Sequence, residues 1–105
     1  MNRHIFQNSA FLKALYHAEP IQRKLMIEVI TIDQIRTLCE ITLKILQGRL
    51  DLSNLHRQKL KDYKRTLRSL VSTRINPLRK KKILLIFHKI IPLLIKPVLH
   101  LLNET

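Results

Sequence analysis

One glycine in 105 residues, Gly48, is the strongest constraint on what this chain can fold into. Hairpins draw on residues that reach positive φ, above all glycine, and no stretch alternates apolar and polar side chains with period two between turn signals. Strands therefore lack both their pattern and their connections. Apolar residues recur instead at spacings of three and four, the mark of helices with one buried face. We expect an all-α chain, a small compact bundle of four or five short helices forming one domain over residues 1–105. Its helical body would cover about 9–82, and an apolar amphipathic helical tail 83–102. The single cysteine, Cys39, excludes an internal disulfide, so packing must hold the fold.

Start and stop signals divide the body. Asn8 and Ser9 precede Phe11, Leu12 and Leu15, predicting a helix from about 9 to 18. Pro20 opens a second, to about 29, in which Ile21, Leu25 and Val29 with Met26 follow at helical spacing. Thr31 and Gln34 form a capping-box pattern ahead of Ile32, Ile35, Leu38, Cys39, Ile45 and Leu46, and Gly48 falls where a helix C-terminus favours glycine. That predicts a helix over 32–47. Asp51 and Ser53 lead into Leu60, Tyr63, Leu67, Leu70 and Val71, predicting one helix over about 53–72, and Asn76-Pro77 starts another.

The tail Ile83–Leu102 is long enough to cross a bilayer, but Lys89 and Lys96 would each cost about 2.5–3.5 kcal/mol near its centre. Lys89, Pro92, Lys96 and His100 recur every three to four residues as a narrow polar stripe, and Pro92 and Pro97 are expected to kink or interrupt the helix. Its apolar residues, among them Leu85, Ile86, Ile90, Leu93, Leu94 and Leu101, would complete the core, pair between copies in a homo-oligomer, or lie in a membrane interface.

Charge is unevenly spread. The chain carries 20 Lys and Arg against 7 Asp and Glu, net +13, of which residues 57–105 supply +11. Eleven of the cations fall between Arg57 and Lys82, with Asp62 the only acid among them. On a continuous helix Arg57, Lys61, Lys64, Arg65 and Arg68 would share an arc of roughly 100° beside the apolar stripe. Arg79, Lys80, Lys81 and Lys82 fill the first turns of the next helix, where cations oppose the helix dipole, a cost that makes sense if anions are bound there, the alternative being a solvated surface. These nine residues are the candidate nucleic-acid-binding set. Phosphate contact supplies affinity without sequence readout, and the five aromatic residues are too scattered to stack bases.

Other chemistry finds little footing. The acids Glu19, Glu28, Asp33, Glu40, Asp51, Asp62 and Glu104 fall singly, at caps and solvated faces, and His4, His17, His56, His88 and His100 lie far apart. No His spacing makes a zinc site with Cys39, which sits on an apolar face as a core residue would. We therefore expect neither an enzyme nor a metal or cofactor. The N-terminus lacks the apolar run and cleavage site of a secretory signal, so the chain is expected to begin at or near Met1 and not to be secreted, leaving nucleus or cytoplasm.

The order of signals from Pro20 to Leu85 resembles a known family. It comprises Gln22-Arg23-Lys24, then Leu38-Cys39-Glu40-Ile41, the Gly48 turn, Ser53, Gln58-Lys59-Leu60, Tyr63-Lys64-Arg65 and Arg79-Lys80-Lys81-Lys82. The family is that of small basic proteins encoded beside capsid genes in adintoviruses and Polinton (Maverick) elements, sometimes compared with adenovirus core proteins. The resemblance implies a virion core or genome-packaging protein that binds double-stranded DNA, found in the virion and the host nucleus. The tail departs from relatives that end in a glycine-rich apolar segment. A membrane-active protein using the tail, with the basic cluster holding anionic lipid, and a helical adaptor with an acidic protein partner are the alternatives from other classes.

Overall fold

The computed structural model describes residues 3–103; Met1 and Glu104 lie outside the described residues. Among these residues are eight α-helices, one 3₁₀ turn and no strand. The all-α expectation holds. Eight helices stand where four or five were expected, because a short helix precedes the first and two long segments are each divided.

The unforeseen helix α1, Arg3–Gln7, fully buries Ile5. Asn8, at the N-cap position of α2 (Ser9–His17), makes no capping bond. Its side-chain amide donates instead to the His4 carbonyl at 3.0 Å and to Asp33 Oδ2 at 3.1 Å, while His4 Nε2 lies 3.0 Å from Asp33 Oδ1. Asp33 thus both sits in the first turn of α4 (Ile32–Leu46) and fastens α1 there. Leu12 and Leu15 of α2 are buried as expected.

Helix α3, Pro20–Glu28, exists where the proline predicts it, with the Glu19 amide donating to Gln22 Oε1 at 3.1 Å. Its orientation is the surprise. Arg23 and Ile27 are buried, Met26 is half-buried, and Ile21, Leu25 and Val29, the stripe that marks the helix in the sequence, face solvent. The buried Arg23 guanidinium donates to the Ala18 carbonyl at 2.9 Å, satisfying an acceptor just past the end of α2. α3 packs on α7 (Pro77–Ile86) and on the 3₁₀ turn His88–Ile90.

Helix α4 is the hub, packed against α1, α6 (Lys64–Val71), α7 and α8 (Ile91–Asn103). Both halves of its capping box form: Gln34 N donates to Thr31 Oγ1 at 3.1 Å and Thr31 N to Gln34 Oε1 at 3.0 Å. At its other end Gly48 takes φ +69°, with Gly48 N bonded to Ile45 O and Arg49 N to Lys44 O, the paired closure that a left-handed residue permits. Ile35, Leu38 and Ile41 are buried, whereas Ile32 is exposed. Cys39 is half-buried.

The helix expected over 53–72 is two. α5 spans Asn54–Lys61, capped by Ser53 Oγ accepting from His56 N at 3.1 Å, and α6 restarts at Lys64, with Leu67 N bonded to Tyr63 O. No proline or glycine breaks it. The halves have different partners: His56 ties α5 to α8, α6 packs on α4, and Tyr63 at the joint sets its ring edge-on to Phe87, centroids 6.3 Å apart. Asp62 is the C-cap of α5, where the helix dipole disfavours an acid, and lies just ahead of α6, where it favours one.

The tail also differs from one helix kinked at its prolines. The break comes earlier, at Phe87, where the chain bends by 81° between α7 and the segment after it. Pro92 sits in the first turn of α8, where a missing N–H costs nothing, and α8 runs through Pro97 without interruption. Pro97 cannot donate to the carbonyl of Leu93, four residues earlier; His56 Nε2–H does so instead, at 2.6 Å. That bond fixes the His56 tautomer. Ile91, Leu94, Ile95, Val98 and Leu102 of α8 are fully buried, each such side chain contributing about 1.5–3 kcal/mol by leaving water. Lys89, Lys96 and His100 are exposed, as the polar stripe predicts. The tail therefore completes the core. The helices fill a body of 29 × 29 × 25 Å.

Candidate nucleic-acid interface

The nine candidate residues occupy three consecutive helices: Arg57 and Lys61 on α5, Lys64, Arg65 and Arg68 on α6, and Arg79, Lys80, Lys81 and Lys82 in the first turns of α7. α7 begins as the sequence predicts, with Asn76 Oδ1 accepting from Arg79 N at 2.9 Å. Seven of the nine side chains are exposed, while Lys80 and Lys81 are half-buried. The only ion pair among the described residues is His4 with Asp33, so none of the nine is neutralised by a described carboxylate.

The break at Asp62–Tyr63 divides the straight helix on which that arc was drawn. An open groove of about 440 Å³ runs along it, floored by Ile45, Leu46, Leu52, Leu60 and Leu67 and edged by Arg57, Lys61 and Lys64. Three strip residues from two helices are brought to one rim. Arg65, Arg68 and the α7 group lie outside this groove. Lys80 turns toward α4, lining a smaller groove of about 260 Å³ with Arg36, Cys39 and Glu40. Burial pushes the Cys39 thiol above its ordinary pKa; nearby Lys80 pulls it down and Glu40 raises it further. Thiolate is correspondingly scarce, which suits a packing residue. Among the described residues no three His, Cys, Asp or Glu side chains are grouped to hold a metal ion.

Two exposed cations of the same stretch escaped sequence reasoning. Lys59 lies in the last turn of α5, off the arc drawn on one helix, and Arg74 in the connection between α6 and α7, held by its amide to Ser72 Oγ at 3.2 Å. Their signal was membership of the 57–82 stretch. A helical projection discards it wherever the chain is not one helix.

The tail residues are scattered by depth. Ile90 and Leu94 are buried, Leu85, Leu93 and Leu101 half-buried, and Ile86 is 72% exposed. No single helix among the described residues is long and apolar enough to cross a membrane; α7 and His88–Leu102 reach that length only together, across their bend.

No family model, no curated protein and no solved structure matches this chain.

Proposed function

We propose that this chain is a DNA-binding protein that grips duplex phosphates without reading sequence, serving as a virion core or genome-packaging protein in the virion and host nucleus. One observation carries the reading: seven exposed cations on three consecutive helices, none paired with a described acid. Such charges gain little from each other and much from an array of phosphates whose counterions they release. Phosphate contact carries no sequence information, so affinity should be largely indifferent to sequence. The ordered resemblance to capsid-linked basic proteins of adintoviruses and Polintons supports the packaging role. The rival membrane reading has less to draw on, because Ile91, Leu94, Ile95, Val98 and Leu102 of α8 are buried in the core.

The test is binding of duplex DNA across a salt series, for the parent and for Lys61→Gln/Lys64→Gln/Arg65→Gln/Arg68→Gln. If the Arg57–Arg68 group neutralises five phosphates, it contributes about −4.5 to the slope of log affinity against log salt, and losing four of its cations should make the slope shallower by about 3.6. A parent slope near zero, or a variant that binds as well as the parent, would overturn the proposal. Binding to anionic vesicles that survives when DNA binding fails would move it to the membrane reading.

A further inference from the structure

The groove beside the break at Asp62–Tyr63 offers more than a row of charges. Ile45, Leu46 and Leu52 in its floor are only half-buried, and Arg57, Lys61 and Lys64 on its rim are exposed. Arg57 and Lys61 stand one turn, about 6 Å, apart on α5, and Lys64 follows at the start of α6. No acid lines the groove: Asp62 falls between Lys61 and Lys64 in sequence but is not part of its walls. None of the three cations is in an ion pair among the described residues. An aliphatic floor and an unneutralised cationic rim thus meet in one concavity of about 440 Å³, a size at which ligand sites are common.

Floor and rim together select the occupant. Duplex DNA offers phosphates to the rim but little apolar surface to the floor. A neutral apolar segment would cover the floor and strip water from three cations without pairing them. A single-tailed lipid anion has both chemistries, but small ligands are held with about 70–90% of their surface buried, whereas this groove is open to solvent. A peptide need bury only one face. The matching ligand is a segment of a partner protein with aliphatic side chains at its centre and Asp or Glu on either side. Its aliphatic residues would displace water from Ile45, Leu46 and Leu52, and its carboxylates would accept charge-assisted hydrogen bonds from Arg57, Lys61 and Lys64. A basic face alone accepts any acidic protein; the floor favours one with an apolar anchor.

We propose that this groove docks an acidic segment with an aliphatic anchor from a partner protein, and that the docked segment takes Arg57, Lys61 and Lys64 away from DNA. The competition rests on the DNA-binding reading; the docking does not. Arg65, Arg68 and the α7 cations lie outside the groove, so the segment weakens duplex binding without abolishing it. Duplex weakens the segment by the same factor.

Fluorescence anisotropy decides it, with the full chain freed of nucleic acid and a labelled peptide in which two leucines are flanked on both sides by aspartates and glutamates. Saturable binding is expected, and replacing the peptide's leucines by serine, at unchanged charge, should weaken it about tenfold or more. On the protein, Leu52→Gln should weaken the leucine peptide at least about threefold and leave duplex affinity as it was. Lys61→Gln/Lys64→Gln should weaken both ligands, each at least about threefold. A leucine peptide that does not saturate by about 0.1 mM overturns the proposal. So does one that binds the parent chain no better than its serine counterpart, a comparison that stands even if Leu52→Gln fails to fold. A chain that binds duplex and leucine peptide together, with no mutual loss, overturns the competition. Peptide binding in a chain that ignores duplex upholds the docking site while the DNA-binding reading, and the competition with it, fails. Leu52-dependent binding of dodecanoate by a chain that ignores the peptide would assign the groove to a lipid anion instead.

Discussion

Helices α3 and α8 are built from the same materials and put to opposite uses. Each carries a proline in its first turn and a stripe of aliphatic residues at helical spacing, with cations among them. In α8 the aliphatics turn inward and Lys96 turns out; in α3 the ridge Ile21–Leu25–Val29 turns out and Arg23 turns in. The reason is partners. α8 lies against both α2 and α4, which cover its broad apolar side, whereas α3 packs mainly on α7 and the 3₁₀ turn and has aliphatics on two sides, of which it buries one. Periodicity reports that a face exists. It does not say which way a two-sided helix will point.

The largest effect that would break this comparison is truncation in α8. Leu94→Ala should destabilise the fold by about 2–5 kcal/mol in urea titration, as expected of a fully buried leucine, while Leu25→Gln in α3, at an exposed position, should stay within about 0.5 kcal/mol. Equal losses at the two sites would mean that α3 is seated by its ridge after all.

A smaller effect sharpens the account of how α8 survives an internal proline. His56→Leu removes the donor to the Leu93 carbonyl and should cost about 1–3 kcal/mol. Adding Pro97→Ala restores an intrahelical donor, so the double variant should recover part of that loss, and a double-mutant cycle should show coupling. Strict additivity would refute the link between His56 and Pro97.

The smallest effect lies under α3. Burial lowers the His88 pKa below its ordinary 6.5, helped by Arg23, Lys24 and Lys89, and its buried Nδ1 has no hydrogen-bond partner. A histidine whose folded pKa is depressed contributes full stability above the unfolded value and loses it as pH falls. Unfolding free energy should therefore decline as pH drops below 6.5, and the decline should be shallower in His88→Gln. An identical pH profile for the two chains would show that His88 takes up its proton without penalty.

Much of the fold was legible before any coordinates. The starts at Pro20, Thr31, Ser53 and Asn76 stand where local chemistry places them, because a capping side chain or a proline acts on amides within its own turn. Gly48 closes α4 for an equally local reason, since only glycine takes the left-handed turn there at no steric cost. The candidate interface was legible as composition and misdrawn as geometry. Arg57, Lys61, Lys64, Arg65 and Arg68 are all exposed, but the break at Asp62–Tyr63 divides the strip between two helices and brings Lys59 and Arg74 into consideration.

What the amino-acid order determined by itself was the helical class, most helix starts and the concentration of charge in the second half, since each depends on neighbours within a few residues or on counting alone. What only the tertiary structure decided was where long helices divide and which faces turn inward. α5 and α6 separate because Leu60, His56, Leu67 and Leu70 are buried against different neighbours, and Pro97 is tolerated because a histidine 41 positions earlier replaces its missing N–H. Such outcomes depend on partners distant in the chain, to which a window of sequence has no access.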